Sequence, residues 1–223
     1  MALELANLDT QTPLRVLDIG CGTGASALQL VGSLDADVFA VDLSAEFIET
    51  LADRALEKSL AGRLHPMVAS MEGLPFPDGE FDLIWSEGAV YNMGFAAGVS
   101  AWRRLLAPQG MLVVSEITWT TATRPQALQQ YWDTHYPEID TAAAKIAVLE
   151  NCGYQPVAYF VLPESCWLDN YYTPIQACFA DFLARHPDDP QALELVAMER
   201  EEIAFYNKYK HYYSYGVYIA RKL

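Results

Sequence analysis

The sequence predicts an α/β fold: a seven-stranded, mostly parallel sheet with an antiparallel edge strand and helical lid insertions. Three observations predict this class. Short apolar stretches alternate with amphipathic stretches at helical spacing through the first half of the chain. A glycine-rich turn directly follows the first apolar stretch, at residues 20–24. The chain closes on an alternating stretch that a long insertion separates from the other strands.

The first half of the chain divides into five predicted strands with helices or turns between them. The strands cover residues 15–19, 37–41, 64–68, 81–85 and 111–117. Helices are predicted over residues 23–31 and 94–106, and a third begins behind Ser44, a residue that suits a helix N-cap. Strands and helices that alternate at this spacing are joined by right-handed crossovers into a parallel sheet.

The second half of the chain is rich in aromatic residues. Twelve of the 13 tyrosines and 19 of the 27 aromatic residues follow Ile117. Helices are predicted over residues 124–133 and 141–151, a strand over 155–162, two helices within 163–210 and a final strand over 211–220. We predict a single domain over residues 1–223. Its insertions, at about 118–140 and 163–210, are expected to cover the carboxyl ends of the strands, where open α/β sheets bind ligands.

Composition and charge exclude several classes of protein. The chain has 223 residues, is 52% hydrophobic and carries 14 basic against 29 acidic side chains, a net charge of −15. It is therefore globular, and its charge argues against a nucleic-acid partner or an anionic membrane surface. The four cysteines show no C-x-x-C spacing and no residues have metal-ligand spacing, so we expect no metal and a reduced, cytoplasmic compartment. The N-terminus lacks the basic region of a signal peptide, and no apolar run reaches the length of a membrane span.

Residues 16–24, V-L-D-I-G-C-G-T-G, carry the most information about a ligand. Gly20 and Gly22 permit a tight turn and a close approach of backbone to ligand, and the helix behind them offers free N–H groups. Residues 20–25 also satisfy the permissive dinucleotide pattern G-x-G-x-x-G/A. Asp18 argues against a dinucleotide, because a carboxylate there would repel a pyrophosphate. S-adenosylmethionine has no phosphate. Its ammonium group suits Asp18, and its ribose hydroxyls suit Asp42 at the end of the second strand.

Three motifs together resemble the class I S-adenosylmethionine-dependent methyltransferases. They are D-x-G-x-G-x-G at residues 18–24 with an acid closing the second strand, L-P-F-x-D-x-x-F-D at residues 74–82, and L-A-P-Q-G-M-L at residues 106–112. The resemblance covers residues 16 to about 116, and over these residues the chain is similar to the ubiquinone/menaquinone-biosynthesis subgroup. Beyond that point the chain resembles uncharacterised bacterial methyltransferases. The resemblance implies a Rossmann-like fold, S-adenosylmethionine as cofactor and a small-molecule methyl acceptor.

The resemblance also implies how the first two strands hold the cofactor. Asp18, Gly20 and Gly22 would line the methionine tail, with Cys21 as a small filler beside them. Asp42 would hold the ribose hydroxyls. The first predicted strand begins early in the chain compared with this family, whose members usually carry further helices over the cofactor. We therefore expect either a chain that starts late or an open cofactor pocket.

Later segments would hold the adenine and the sulfonium. Leu43 would pack on the adenine ring. Ser70 and Met71 stand where many relatives have an acid that bonds the adenine amino group, so here that contact would fall to the Ser70 hydroxyl, to backbone groups or to a neighbouring carboxylate. Trp85 and Ser86, at the end of the fourth strand, would stand beside the sulfonium.

Glu87 and Tyr91 follow the fourth strand and are the predicted catalytic residues. Methyl transfer mainly needs an aligned nucleophile, and a general base is optional. Glu87 would orient or deprotonate the acceptor, or else interact with N–H groups at a helix start. Tyr91 would hydrogen-bond the acceptor or the cofactor, or pack under the lid. Glu116 and His135 are further candidates for the cleft, although histidines in surface loops are common.

The aromatic residues of the second half allow two interpretations. Trp119, Trp132, Tyr136 and Trp167 would wall an apolar pocket or stack on a cationic acceptor, or they would pack in the core, which is commoner for aromatics at such spacing. The tyrosines of the final strand are expected to pack on the sheet. They are Tyr212, Tyr213, Tyr215 and Tyr218.

The predicted function is methyl transfer from S-adenosylmethionine to a small-molecule acceptor. The main alternative is a protein that binds S-adenosylmethionine without catalysis, in a regulatory role. A NAD-dependent oxidoreductase and a protein methyltransferase that admits a peptide side chain are weaker alternatives. A homodimer is kept as an alternative to a monomer.

Overall fold

The computed structural model describes residues 1–8 and 11–223, and its centre is a single sheet. The strands are β1 Leu14–Ile19, β2 Ala36–Asp42, β3 Leu64–Val68, β4 Phe81–Ser86, β5 Leu106–Trp119, β6 Asp140–Thr141, β7 Tyr154–Val161 and β8 Tyr213–Lys222. Their order is β3-β2-β1-β4-β5-β8-β7, and the two-residue β6 pairs with the end of β5. The first five strands run parallel, as predicted, so their carboxyl ends lie at one end of the sheet.

The final strand runs antiparallel as predicted, but it lies inside the sheet and does not form the predicted edge strand. β8 pairs antiparallel with β5 on one side and with β7 on the other, so it lies one position inside the edge that β7 forms. Residues 216–220 of β8, G-V-Y-I-A, are all buried. Burial of both faces is typical of an inner strand. The apolar run suits a strand with neighbours on both sides, although it does not by itself specify β5 as one of them.

The described part of the chain contains nine α-helices. They are α1 Ala2–Ala6, α2 Ala25–Ser33, α3 Ala45–Glu57, α4 Phe95–Trp102, α5 Gln126–His135, α6 Ala142–Asn151, α7 Glu164–Trp167, α8 Thr173–Arg185 and α9 Pro190–Tyr209. Ser44 caps α3 as predicted, because its hydroxyl accepts a hydrogen bond from the Phe47 N–H at 3.3 Å. α2 begins two residues later than predicted, because Gly24 adopts a left-handed conformation with φ 90°. A π-helical turn, Leu168–Tyr172, links α7 to α8.

Two hydrophobic cores flank the sheet, because alternate residues of each strand point to opposite faces. Val16 of β1 belongs to the core that α1, α2 and α3 cover. Leu17, its neighbour in sequence, belongs to the core that α4 and α6 cover. Helices on both faces leave the carboxyl ends of the parallel strands as the open side of the fold, which is where a ligand is expected.

A third hydrophobic cluster lies at the carboxyl end of β5, and we call the helices that build it, α5 and α7–α9, the helical cap. Trp119 at the end of β5 and Tyr213 at the start of β8 pack there against Leu128 of α5, Phe179 of α8 and Tyr206 of α9. The cap thus stands beside the end of the sheet where ligands bind. Within the described residues, no helix combines the length and the apolar character that crossing a bilayer requires.

Candidate active site

The glycine-rich turn after β1 holds a backbone shape that only glycine adopts easily. Gly20, Gly22 and Gly24 have φ angles of 73°, 54° and 90°, in the left-handed region. A Cβ atom on Gly20 would lie 2.3 Å from the Cβ of Ala89, so the turn packs tightly against the segment after β4. A Cβ on Gly22 would meet no atom within 4 Å. Gly22 therefore offers its backbone to open space, as a site for a ligand requires.

Asp18 is a buried carboxylate without a full set of partners. The residue is 1% exposed, and its Oδ2 atom makes no hydrogen bond. Burial, together with the nearby Glu87 and Asp42 carboxylates, raises the pKa of Asp18 from 3.8 to about 8, against a smaller opposing effect of the Ala27 N–H. A buried acid with a free oxygen is costly unless a partner arrives. A cation at the glycine-rich turn would supply that partner.

Asp42, at the end of β2, is fixed by the backbone. Its Oδ2 accepts a hydrogen bond from the Gly22 N–H and its Oδ1 one from the Ser44 N–H, both at 2.9 Å. Each carboxylate oxygen keeps further acceptor capacity for a ligand hydroxyl. Leu43 follows with 75% of its surface exposed, an unusual setting for an apolar side chain next to a polar cleft. Asp42 and Leu43 thus offer a ligand a polar and an apolar contact side by side.

The segment after β3 borders the same turn. Ser70 is exposed, and its Oγ accepts a hydrogen bond from the Glu72 N–H at 3.3 Å. The carbonyl of Met71 accepts a hydrogen bond from Trp102 Nε1 at 3.1 Å. The Met71 methyl group lies beside Gly20, 3.7 Å from the position that a Cβ there would take. Ser70 and Met71 therefore stand with the glycine-rich turn, as the resemblance implies.

The other residues predicted near the cofactor are held in the interior. Trp85 is 7% exposed and packs in the core that α2 covers. Ser86 is fully buried, and its hydroxyl donates a hydrogen bond to the carbonyl of Ile19 at 2.9 Å, which ties β4 to β1. Cys21 is 8% exposed, and burial followed by the charges of Asp18 and Asp42 raises the pKa of its thiol. The thiol stays protonated, in agreement with a filler and not with a nucleophile.

Glu87 and Tyr91 lie on opposite sides of the junction after β4. Glu87 is exposed and accepts a hydrogen bond from the Ser26 hydroxyl at 2.8 Å, at the start of α2. Its charge also acts on Asp18. These contacts put Glu87 on the side of the glycine-rich turn. Tyr91 faces the helical cap, where its ring meets that of Tyr136 edge-on with centroids 6.3 Å apart.

A cavity of about 570 Å³, which we call the aromatic cavity, lies between the junction after β4 and the helical cap. Nine of the described residues that line it are Tyr or Trp. Its walls include Tyr91, Trp132, Tyr136, Trp167, Tyr172 and Tyr215. For four aromatics the sequence left a pocket wall and the core open. Trp132, Tyr136 and Trp167 line this cavity, whereas Trp119 packs in the third core cluster.

Two tyrosines of β8 correct the expectation that this strand only packs on the sheet. Tyr213 and Tyr215 line the aromatic cavity, because β8 enters the sheet beside the carboxyl end of β5. Tyr218 behaves as predicted: its hydroxyl lies 2.7 Å from Thr118 Oγ1, and the residue is 1% exposed. The position of β8 next to β5, which the sequence pattern did not reveal, explains the difference.

Glu116 supports the aromatic cavity from behind. It is fully buried, and its Oε1 accepts hydrogen bonds from Tyr136 at 2.5 Å and from Lys145 at 3.1 Å. Burial raises the pKa of the Glu116 carboxyl, and the Lys145 ammonium partly offsets that rise. Lys145, which comes from α6 and is itself 3% exposed, stands in no sequence pattern that singles it out. The pair fixes Tyr136, which lines the cavity.

His135 and Glu202 bring polar groups to the aromatic cavity. His135 Nδ1 lies 2.7 Å from the carbonyl of Tyr131, one helical turn earlier. Glu202 Oε1 accepts a hydrogen bond from the Tyr172 hydroxyl at 3.0 Å. Sequence analysis missed Glu202, because a glutamate within the run E-R-E-E of α9 resembles any solvated helix face.

Residues 16–110 of the chain match the family described as "Methyltransferase domain". The chain is 34% identical over 167 residues to the chloroplastic tocopherol O-methyltransferase of Arabidopsis thaliana, an alignment that covers 73% of this chain and 42% of that protein. It is 32% identical over 107 residues to the ubiquinone/menaquinone biosynthesis C-methyltransferase of Geotalea daltonii, with 47% of this chain and 46% of that protein covered. Across the curated relatives, the chain spans between 28% and 52% of their length.

Solved structures share the fold over the whole chain. A methyltransferase from Geobacter sulfurreducens, solved with S-adenosyl-L-homocysteine, is 21% identical with a TM-score of 0.85, and 99% of this chain and 88% of that chain are covered. The [4+2]-cyclase SpnF is 24% identical with a TM-score of 0.80, and 99% and 80% are covered. The chain is therefore similar in fold to these structures and, over residues 16–110, in sequence to the methyltransferase domain.

Proposed function

We propose that this protein transfers a methyl group from S-adenosylmethionine to a small-molecule acceptor. The observation that carries the proposal is Asp18, a buried carboxylate whose Oδ2 has no partner, beside a glycine-rich turn that is open at Gly22. The ammonium group of the cofactor would satisfy Asp18, and the positive N-terminal end of α2 would receive its carboxylate. A dinucleotide fits less well, because its pyrophosphate would meet the charges of Asp42 and Glu87 and offers no cation to Asp18.

The remaining cofactor contacts would come from the end of β2 and from the segment after β3. Asp42, already oriented by two backbone N–H groups, would accept hydrogen bonds from the ribose hydroxyls. Leu43 would lose its exposure by packing on the adenine ring, and Ser70 and Met71 would border the ring on its other side. When bound, the cofactor supplies an activated methyl group on a sulfonium, with a neutral thioether as leaving group.

Glu87 takes a different role in this proposal from the general base that its position in sequence suggested. Its hydrogen bond to Ser26 and its proximity to Asp18 support a role at the ammonium end of the cofactor. Tyr91 faces the aromatic cavity and would contact the acceptor. Gly88 follows Glu87 directly and lines that cavity, so the cofactor cleft and the cavity meet at residues 87–88.

The comparisons support the proposal and the resemblance to the ubiquinone/menaquinone-biosynthesis subgroup. The relatives include O-methyltransferases and C-methyltransferases of small molecules, the ubiquinone/menaquinone-biosynthesis type among them. Two related structures were solved with S-adenosyl-L-homocysteine. The [4+2]-cyclase SpnF has a similar fold and is named for a different reaction, so the fold alone does not establish methyl transfer. A protein that binds the cofactor without transferring its methyl group is therefore the second candidate.

Calorimetry with S-adenosylhomocysteine and with NAD tests the cofactor assignment. We expect one site for S-adenosylhomocysteine and no binding of NAD, and the reverse preference would overturn the proposal. Production of S-adenosylhomocysteine from S-adenosylmethionine, on addition of the small-molecule fraction of a cell extract, then separates the candidates. Turnover supports a methyltransferase. Tight cofactor binding with no turnover on any fraction supports the second candidate.

A further inference from the structure

We propose that the aromatic cavity binds the methyl acceptor as an organic amine, held in its ammonium form by ring faces and by the Glu202 carboxylate. The inference rests on the methyltransferase function proposed above and names its class of acceptor. It depends on three features of the cavity: its aromatic lining, the sign of its charge and the presence of a proton acceptor.

The aromatic lining suits a cation. Trp167 is the centre of one wall, and its ring stacks on those of Tyr172, Tyr206 and Tyr215 with centroids 5.7, 4.8 and 5.1 Å away. These neighbours cover the faces of Trp167, so its role is to stiffen the wall. Among the Tyr and Trp rings of the lining, Tyr91 and Tyr171 have the most open surface, each 46% exposed, and the face of such a ring attracts an ammonium group. Burial raises the pKa of Tyr131, which with Tyr172 and Tyr215 lines the cavity, so these phenols remain neutral and keep the hydrogen-bonding character of hydroxyls.

The charge of the cavity favours the same ligand. Glu202 is the sole Asp or Glu among the described lining residues, and none of those residues is Lys or Arg. Burial raises the pKa of Tyr171 and Tyr172, and the Glu202 carboxylate adds to the rise in both, so its charge acts along this wall. Tyr172 holds the carboxylate by a hydrogen bond of 3.0 Å.

An anionic acceptor lacks a counterion here. Lys145 lies behind the wall, over the rings of Phe95 and Tyr136 at 4.7 and 5.7 Å, and its charge is paired with Glu116. A carboxylate or phosphate in the cavity would therefore face the Glu202 carboxylate, and the described lining offers no Lys or Arg to balance the two negative charges. An ammonium group would instead complete a pair with Glu202.

The transfer itself requires the neutral amine, and His135 provides a place for the proton. Its Nδ1 faces the carbonyl of Tyr131, which only accepts hydrogen bonds, so Nδ1 carries the hydrogen and Nε2 keeps its lone pair. The ammonium proton passes to Nε2, and the exposed His135 then releases it to water. The nitrogen lone pair forms the new N–C bond while the S–C bond breaks and sulfur keeps the electron pair. The product is the N-methylated ammonium.

Binding of matched probes tests the proposal without turnover. Phenethylamine, 2-phenylethanol and 3-phenylpropanoate share an aromatic body and differ in charge at the other end. Their binding is followed through the fluorescence of Trp132 and Trp167, which line the cavity, in the full chain with and without S-adenosylhomocysteine. We expect the amine to bind at least about tenfold more tightly than the alcohol or the carboxylate.

Two variants connect the result to the cavity. Glu202→Gln keeps the size of the side chain, and we expect it to weaken amine binding about tenfold with unchanged affinity for S-adenosylhomocysteine. Glu201→Gln, next to it on α9 but not a lining residue, is the control and should bind the amine like the parent. An amine that does not bind, or binds no better than the alcohol and the acid, overturns the proposal. Because cofactor affinity is measured separately, loss of the amine result leaves the methyltransferase proposal standing. Loss of cofactor binding instead overturns the methyltransferase proposal and, with it, the assignment of the amine as methyl acceptor.

Discussion

Asp18→Asn is expected to stabilise the protein without cofactor and to weaken cofactor binding. The substitution keeps the shape of the side chain and removes its charge. The pKa of Asp18 rises from 3.8 to about 8 on folding, and one pKa unit is worth about 1.4 kcal/mol. The folded protein at pH 7 therefore keeps a proton that the unfolded chain has lost, and this costs up to about 4 kcal/mol that the asparagine variant avoids.

The effect on stability depends on pH in a defined direction. A carboxyl group whose pKa is raised in the folded state lowers stability as pH rises from its unfolded pKa to its folded pKa. For Asp18 this window extends from 3.8 to about 8. The advantage of the variant should thus grow by about 1.4 kcal/mol per pH unit within the window and nearly vanish at its acidic end.

The same substitution is expected to weaken cofactor binding. Breaking a buried charge pair costs about 3–5 kcal/mol, and at pH 7 the parent first spends about 1.4 kcal/mol to ionise Asp18. The net loss of about 1.6–3.6 kcal/mol corresponds to roughly fifteen- to four-hundredfold weaker binding. Because the cofactor ammonium expels the proton from Asp18, affinity of the parent should rise about tenfold per unit between about pH 6 and 7.5. The variant should lack this slope.

Urea unfolding without ligand, at pH 5 and pH 7, and calorimetry with S-adenosylhomocysteine measure both effects. Asp37→Asn on β2 is the control, because that carboxylate is 45% exposed and pairs only with His65 among the described contacts. It should change stability by less than about 1 kcal/mol and leave cofactor affinity unchanged. An Asp18→Asn variant that is destabilised and binds the cofactor like the parent would show that Asp18 is a structural residue, and the reasoning would fail.

Three further predictions concern the turn, the ribose contact and the buried ion pair. Gly20→Ala should destabilise the fold by more than about 2 kcal/mol in urea unfolding, because the new Cβ meets Ala89 at 2.3 Å and φ is left-handed; stability equal to the parent would contradict the turn geometry. Asp42→Ala should weaken S-adenosylhomocysteine binding by about 1.5–3 kcal/mol in calorimetry, since charge-assisted hydrogen bonds to the ribose are lost, and unchanged affinity would remove the ribose assignment. Glu116→Gln should lower the free energy of unfolding by about 3–5 kcal/mol, because Lys145 would stay buried without a counterion, and a loss below about 1 kcal/mol would show that water reaches the pair.

The parallel half of the fold was predictable because its determinants are local. Short apolar strands, the turn after β1 and the Ser44 cap each depend on a few neighbouring residues, and the structure keeps all of them. The position of Asp18, two residues before the glycine-rich turn, is local in the same sense. The sequence also revealed that the second half would be aromatic, since a count of residue types needs no knowledge of contacts.

The parts that escaped prediction depend on distant contacts. β8 lies beside β5 across roughly a hundred residues of chain, as the pairing of Trp119 with Tyr213 shows, and no local pattern encodes that closure. Glu116 was a candidate for the cleft until Lys145, 29 residues later, accounted for it. Glu202 carries no distinguishing pattern and becomes noticeable only when α9 brings it to Tyr172.

Transfer of an isotope-labelled methyl group tests the central claim most directly. The full chain is incubated with S-adenosylmethionine that carries a ¹³C-methyl group and with the small-molecule fraction of a cell extract, and products are read by mass spectrometry. The account predicts one or a few labelled small molecules that are basic amines, formed with S-adenosylhomocysteine in equal amount and lost with Asp18→Asn at low cofactor concentration. Label that stays in S-adenosylmethionine, while the cofactor is shown to be bound, would contradict methyl transfer as the function.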